Sequence, residues 1–173
     1  AETPRLNNGF ICIDNAGNAI STVVLQSGIP AAGHSFVWTW NNNPLPTTGN
    51  SHVAVDPGIY EVVVTNLVTG CTSSASATIG TSSIALADAS VGTDFHRNQT
   101  ITVNVTGGSG VYEYQLENGP FQNSNVFIGN FEGEYTITVR DKNGCGELVL
   151  TVFALNYPRF FTPNGDGFND YWN

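Results

Sequence analysis

Alternating apolar and polar residues run through most of the chain and predict β-strands. Tyr135, Ile137 and Val139 alternate with polar residues, and residues 101–106 read Ile-Thr-Val-Asn-Val-Thr. Successive side chains of a strand point to opposite faces, so this period of two places one face on a core and the other in solvent. Turn-forming Asn-Gly and Gly-rich segments separate the strands, and no helical period of useful length appears. The pattern predicts an all-β chain of short, half-buried, antiparallel strands.

The sequence also contains an internal repeat of about 75 residues. Gly58–Val64 matches Gly133–Val139, and each segment is followed by a Gly-Cys pair, which ends in Cys71 in the first copy and in Cys145 in the second. Upstream, an aromatic-rich strand beginning with Phe-Val-Trp in the first copy matches one beginning with Tyr-Glu-Tyr in the second. A fixed internal period indicates two copies of one fold.

The repeat and the short strand spacing predict two tandem immunoglobulin-like antiparallel β-sandwiches, at residues 1–80 and 81–156. The seam between them lies near Gly80–Ser83, whose small residues are typical of a short linker. Strand alternation ends at about Asn156, and two prolines follow at once. We therefore expect residues 157–173 to be an extended segment that opens a further β domain and adds nothing to the second core.

The net charge of the chain narrows the classes of partner that it could bind. Asp and Glu number 14 against 5 Lys and Arg, giving a formal net charge of -9. A chain this acidic repels phosphate backbones and anionic lipid, so we expect no nucleic-acid partner. The sequence also contains no apolar run of 18 residues, and no membrane span is predicted.

The three cysteines suggest one disulfide. Because Cys12 and Cys71 both lie in the first repeat, we predict that they are bridged, closing a loop of about 60 residues that stabilises the fold by ~4 kcal/mol. Cys145 occupies the position equivalent to Cys71, but the second copy has no counterpart of Cys12. It is therefore predicted to be an unpaired thiol in a hairpin.

No residue pattern supports catalysis. His34, His52 and His96 have no metal-ligand or catalytic spacing to one another or to acidic residues, and we interpret them as surface or strand-edge histidines. An exposed aromatic row around Trp38 and Trp40 would indicate carbohydrate binding. We favour a core position instead, since tryptophan on this strand commonly fills an immunoglobulin-like core. The sequence predicts a non-enzymatic protein without a cofactor.

The C-terminal tail is rich in oxygen ligands and could hold calcium. If Gly167 takes the sharp-turn position of a calcium loop, Asn164, Asp166 and Asp170 fall at ligand positions. Thr162 stands where the first acidic ligand would be expected. The alternative is a turn that uses these residues for positive φ and local hydrogen bonds.

The same tail resembles a known family. Residues 157–173 read Tyr-Pro-Arg-Phe-Phe-Thr-Pro-Asn-Gly-Asp-Gly-Phe-Asn-Asp-Tyr-Trp-Asn, which looks like the opening of the gliding-motility-associated C-terminal domain, the type B sorting domain of type IX secretion substrates in Bacteroidota. Residues 133–145 are similar to immunoglobulin-like repeats stacked in gliding adhesins of that phylum. The family's sorting domain continues for many tens of residues beyond the point that Asn173 occupies here.

The resemblance implies secretion, display on the exterior of the outer membrane, and binding to type IX secretion and outer-membrane attachment components. It assigns sorting and partner binding to the apolar anchors and turn residues of the tail. These are Phe160, Phe161, Pro163, Asn164, Gly165, Asp166, Gly167, Phe168, Asn169, Asp170 and Trp172.

Two functions fit these features. The first is a stalk or repeat region of a secreted cell-surface adhesin, with gliding-motility adhesins as one candidate class and an adhesive target located upstream. The alternative is a pair of accessory modules trailing a secreted hydrolase with the same sorting signal. Sequence upstream of Ala1 would distinguish them, because further repeats favour the adhesin and a catalytic domain favours the hydrolase.

Overall fold

The computed structural model describes residues 2–92 and 99–155. These residues form thirteen β-strands and no helix, which confirms the predicted all-β class. The strands are β1 Gly9–Cys12, β2 Val23–Gln26, β3 His34–Trp40, β4 Asn43–Pro44, β5 Ser51–Ala54, β6 Gly58–Asn66, β7 Thr72–Ser82, β8 Leu86–Val91, β9 Gln99–Gly107, β10 Tyr112–Leu116, β11 Val126–Gly129, β12 Gly133–Asp141 and β13 Glu147–Ala154.

The contacts divide the described residues into two compact units. The first unit combines residues up to Ala85 with Gly108–Val111 and Asp141–Gly146. The second holds the described residues of Leu86–Gly107, those of Tyr112–Arg140, and those from Glu147 onward. Two turns of the second repeat are thus part of the first unit. The predicted domain limits, residues 80 and 156, stay predictions, since residue 156 lies outside the described part of the chain.

The first unit is a sandwich of two sheets. One sheet has the order β1-β7-β6-β3-β4, and the other is the pair β2-β5. Inward side chains from both sheets form one core, whose buried members include Ile11, Leu25, Phe36, Trp38, Ala54, Tyr60, Val62, Val64, Ala77 and Ile79. Burying such aliphatic and aromatic side chains stabilises the fold by about 1.5–3 kcal/mol each.

The second unit repeats this plan with sheets of order β10-β12-β13 and β11-β9-β8. The predicted inward positions Ile137, Ile101 and Val103 are fully buried. Val105, which the alternation also places inward, is exposed because β9 ends its regular pairing there, beside a register shift in β8.

The repeat is visible in the strand order. β6 lies between β3 and β7, and β12 lies between β10 and β13, so the two matched Gly-x-Tyr strands occupy equivalent central places. The first strands of the two copies differ. β1 pairs in parallel with β7, whereas β8 pairs antiparallel with β9 of the opposite sheet. The antiparallel prediction therefore holds for every pair described except β1-β7.

Candidate functional site

The predicted sorting and calcium residues lie outside the described part of the chain. They are Phe160, Phe161, Pro163, Asn164, Gly165, Asp166, Gly167, Phe168, Asn169, Asp170 and Trp172. Among residues 2–92 and 99–155, no three His, Cys, Asp or Glu side chains are placed to hold a metal ion. Those residues also contain no helix long and apolar enough to cross a membrane.

The disulfide of the first unit joins Cys12 to Cys145. The predicted Cys12–Cys71 bridge and the predicted free thiol at Cys145 are therefore wrong, and Cys71 is free and exposed. The Cα atoms of the bonded pair are 5.3 Å apart although 133 positions separate them in sequence. The prediction assumed pairing within one repeat. The turn Asp141–Gly146 packs in the first unit, so tertiary contacts rather than repeat membership choose the partner.

Asp141 organises the turn that carries Cys145. Its side chain is only 2% exposed. One carboxylate oxygen accepts hydrogen bonds from the Ser82 hydroxyl at 2.7 Å and the Cys145 backbone N–H at 3.1 Å. The other accepts from the backbone N–H groups of Val111 at 3.3 Å and Asn143 at 3.2 Å. Hydrogen bonds to a carboxylate are stronger than neutral ones, so Asp141 fixes the turn in the position from which the disulfide forms.

Sequence reasoning missed this cluster, although a signal for it exists. Asp141 continues the period of two set by Tyr135, Ile137 and Val139, which places it on the buried face of β12. Ser82 falls in the segment interpreted as a linker, but it is fully buried at the end of β7, where its hydroxyl donates to the carboxylate. An acidic residue at an inward strand position is informative because a buried charge requires partners.

A cavity of about 360 Å³ opens beside the β6-β7 turn of the first unit, and the free cysteine is one of its lining residues. Glu2, His34, Asn66, Cys71 and Ser73 are among its lining residues. An imidazole can activate a nearby thiol as a nucleophile by removing its proton. The hydrogen bonds of the His34 imidazole show whether it is available for this role.

The imidazole of His34 is already engaged on both nitrogens. Nδ1 lies 3.1 Å from the Ala32 carbonyl oxygen, which can only accept, so Nδ1 carries the hydrogen of this contact. Nε2 faces the Asn66 side-chain amide at 3.3 Å and the Glu2 carboxylate at 3.6 Å. Both ring nitrogens therefore have partners other than Cys71. The arrangement supports a structural role for His34 in this hairpin rather than activation of the thiol.

The tryptophans of β3 belong to the first unit's core and its margin. Trp38 is 0% exposed, and its indole N–H donates to the Gly49 carbonyl at 2.9 Å. Trp40 is half-buried, and its indole N–H donates to the Pro57 carbonyl at 3.2 Å. The predicted core position of Trp38 is confirmed. The two side chains do not form the exposed row that carbohydrate binding would need.

His52, which we expected at the surface or at a strand edge, lies in β5 of the two-stranded sheet. Its ring is half-buried between the rings of Trp38 and Tyr60, with centroid separations of 5.7 and 5.5 Å. The Tyr60 hydroxyl donates to the Asp56 carbonyl at 2.8 Å, closing a corner at the start of β6. Burial raises the pKa of Tyr60 above its usual 10.0 and lowers the pKa of His52 below its usual 6.5.

One family model matches part of the chain. It describes the SprB repeat, and it matches residues 97–121. The described part of that match contains β9, the Gly-rich turn after it, and β10. No curated protein sequence matches the chain significantly.

Solved structures of immunoglobulin domains are similar to the chain in fold. Sidekick-1 immunoglobulin domains 1–5 match with a TM-score of 0.51 at 12% identity, over 88% of this chain and 38% of that one. The CD2-binding domain of CD58 matches with a TM-score of 0.50 at 10% identity, over 91% of this chain and 100% of that one. The chain also spans 65% of a titin I-band fragment, I67–I69, at 15% identity, 87% coverage of this chain and a TM-score of 0.46. At these identities the likeness to Sidekick-1 and CD58 shows an immunoglobulin-like fold.

Proposed function

We propose that this chain is a non-enzymatic repeat region in the stalk of a secreted cell-surface adhesin, with residues 157–173 opening the signal for type IX secretion and surface attachment. The SprB repeat match at residues 97–121 carries the proposal, because that repeat suggests an extracellular surface protein. A gliding-motility adhesin is the specific class we propose. The adhesive target is assigned to sequence upstream.

The architecture supports a spacer role. The chain forms two immunoglobulin-like units, and each has its own pair of sheets. The aromatic side chains that could have offered a flat sugar-binding row are used for packing in the first unit. A disulfide in the first unit agrees with an oxidising, extracellular location, where such bonds persist.

A deletion experiment tests the sorting part of the proposal. Residues 157–173 and the sequence that follows them are removed from the full-length protein in a bacterium with a type IX secretion system. We expect the two sandwiches to remain folded and the protein to disappear from the cell surface, measured by antibody labelling of intact cells. The matched control is Cys71→Ser, which changes an exposed cysteine and leaves the tail intact. Undiminished surface labelling of the deletion variant would contradict the sorting role.

A further inference from the structure

The Cys12–Cys145 bond divides the chain into a closed loop and two flanking arms. It joins residues 133 positions apart, so strands β2 to β12 all lie inside the covalent loop. Only β1, on the N-terminal side, and β13, on the C-terminal side, belong to the arms. This division follows from the positions of the two bonded cysteines and of the strands in the sequence.

We propose that the Cys12–Cys145 disulfide is a tension bypass, which carries a pulling force past both repeats. A force applied to the two arms passes from one sulfur to the other, so the loop between them is not extended. Without the bond, the same force must pass through hydrogen-bonded strands, whose individual contacts are worth only about 0.5–1.5 kcal/mol each. The use of this device in a cell rests on the proposed stalk function, but the mechanical property does not.

Both half-cystines are held by local hydrogen bonds in the first unit. The Cys12 N–H donates to the Ser21 hydroxyl at 2.7 Å, and the Cys12 carbonyl accepts from the Ile20 N–H at 2.7 Å. On the other side, the Cys145 N–H donates to the Asp141 carboxylate at 3.1 Å. Both half-cystines are therefore anchored in structured segments of the first unit.

The bond is also partly shielded from exchange, since Cys12 is half-buried and Cys145 is buried. Cys145 is 8% exposed, which restricts the approach of a reducing thiol. The free cysteine, Cys71, is exposed instead. A bypass needs a disulfide that is less accessible than the free cysteine, because a readily reduced bond would release the loop under ordinary thiol exchange.

The arms set how far the oxidised chain can lengthen. β1 pairs with the edge of β7 over four residues, and β13 pairs with β12 over eight. Within residues 2–92 and 99–155, peeling of these two strands lengthens the arms before the covalent bond takes the force. Strands β2 to β12 can lose their native pairing without adding length between the two ends of the chain.

Single-molecule extension of the 173-residue chain tests the bypass. Handles are attached enzymatically at both ends, in a Cys71→Ser background that removes the exchangeable thiol. The length released on full extension is compared between the oxidised protein and a variant that also carries Cys12→Ser and Cys145→Ser. We expect the oxidised protein to release less length by the contour of 133 residues, about 480 Å at ~3.6 Å per residue.

A second arm of the experiment avoids dependence on folding of the serine variant. Reductant added to an oxidised molecule already held under tension should convert its short extension to the long one. Equal released lengths in the oxidised and reduced states would overturn the bypass. Because this measurement uses purified protein, its failure is distinguishable from failure of surface sorting.

Discussion

We expect His52 to make the stability of the first unit depend on pH. Its ring lies between Trp38 and Tyr60, and Thr47 contacts its Nδ1 through the hydroxyl at 2.8 Å. Burial lowers the pKa of His52 in the folded protein, so the unfolded chain binds a proton there more readily than the folded one. The resulting stabilisation is present above the unfolded pKa of about 6.5 and is lost as the pH falls through the lower folded pKa.

We predict that His52→Gln flattens this dependence. The free energy of unfolding, measured by urea denaturation from pH 8 to pH 5, should fall less steeply below pH 6.5 in the variant than in the original protein. The difference between the two proteins at pH 8, where the imidazole is neutral in both states, gives the packing effect of the substitution alone. Parallel curves across the whole range would show that His52 does not titrate with folding.

Matched glycines begin the two central strands, β6 and β12, and both have positive φ, 152° at Gly58 and 94° at Gly133. Their surroundings differ. A Cβ at Gly58 would lie 2.5 Å from Trp40 Nε1 and 2.8 Å from the Asn41 side-chain amide, whereas a Cβ at Gly133 would meet nothing within 4 Å. Positive φ therefore favours glycine at this position in both copies. In the first copy, the close contact with Trp40 and Asn41 also leaves no room for a Cβ.

We predict that Gly58→Ala destabilises the protein more than Gly133→Ala. Backbone strain at positive φ costs on the order of 1–3 kcal/mol at either position. Overpacking adds roughly 1–3 kcal/mol at Gly58 only. Chemical denaturation followed by far-UV circular dichroism measures both variants, with Gly133→Ala as the control for strain. An equal loss in the two variants would mean that Trp40 and Asn41 move aside at little cost.

Strand positions were largely predictable because side chains that share a core recur every second residue. Tyr135 and Tyr60 fall in equivalent strands, as the repeat predicts, yet their hydroxyls differ: that of Tyr60 donates to the Asp56 carbonyl, and that of Tyr135 accepts from the Glu132 N–H at 3.2 Å. Partners of this kind depend on loops that the repeat does not preserve. The parallel pairing of β1 was not predictable either, because a four-residue strand fits either sheet of a sandwich.

At the scale of the whole molecule, the disulfide is the feature that sequence reasoning misplaced. Cysteine counting per repeat pairs Cys12 with Cys71, and only the placement of the Asp141–Gly146 turn in the first unit brings Cys145 to Cys12. The signal that could have warned against the local pair is the buried-face position of Asp141, which marks that turn as packed rather than exposed. The tail residues assigned to sorting remain predictions.

We predict that losing the disulfide is costly and losing the free thiol is not. A loop closed across 133 positions corresponds to about 5 kcal/mol in the chain-entropy description. Cys12→Ser with Cys145→Ser should therefore lower the unfolding free energy strongly, while exposed Cys71→Ser should stay within about 0.5 kcal/mol. Alkylation of the unreduced protein should label Cys71 alone. Label on Cys145 in native protein would contradict the observed pairing.

The long covalent loop also determines whether cleavage by a protease separates the chain into fragments. A single cut anywhere between Cys12 and Cys145 opens the ring but leaves both fragments joined through sulfur. Release of a fragment from the loop needs a second cut within the loop, whereas a cut in one of the arms releases only the outer part of that arm. Surface proteins meet proteases from neighbouring cells, and exposed turns are where nicking concentrates. A nicked chain of this kind would still connect whatever precedes it to whatever follows it.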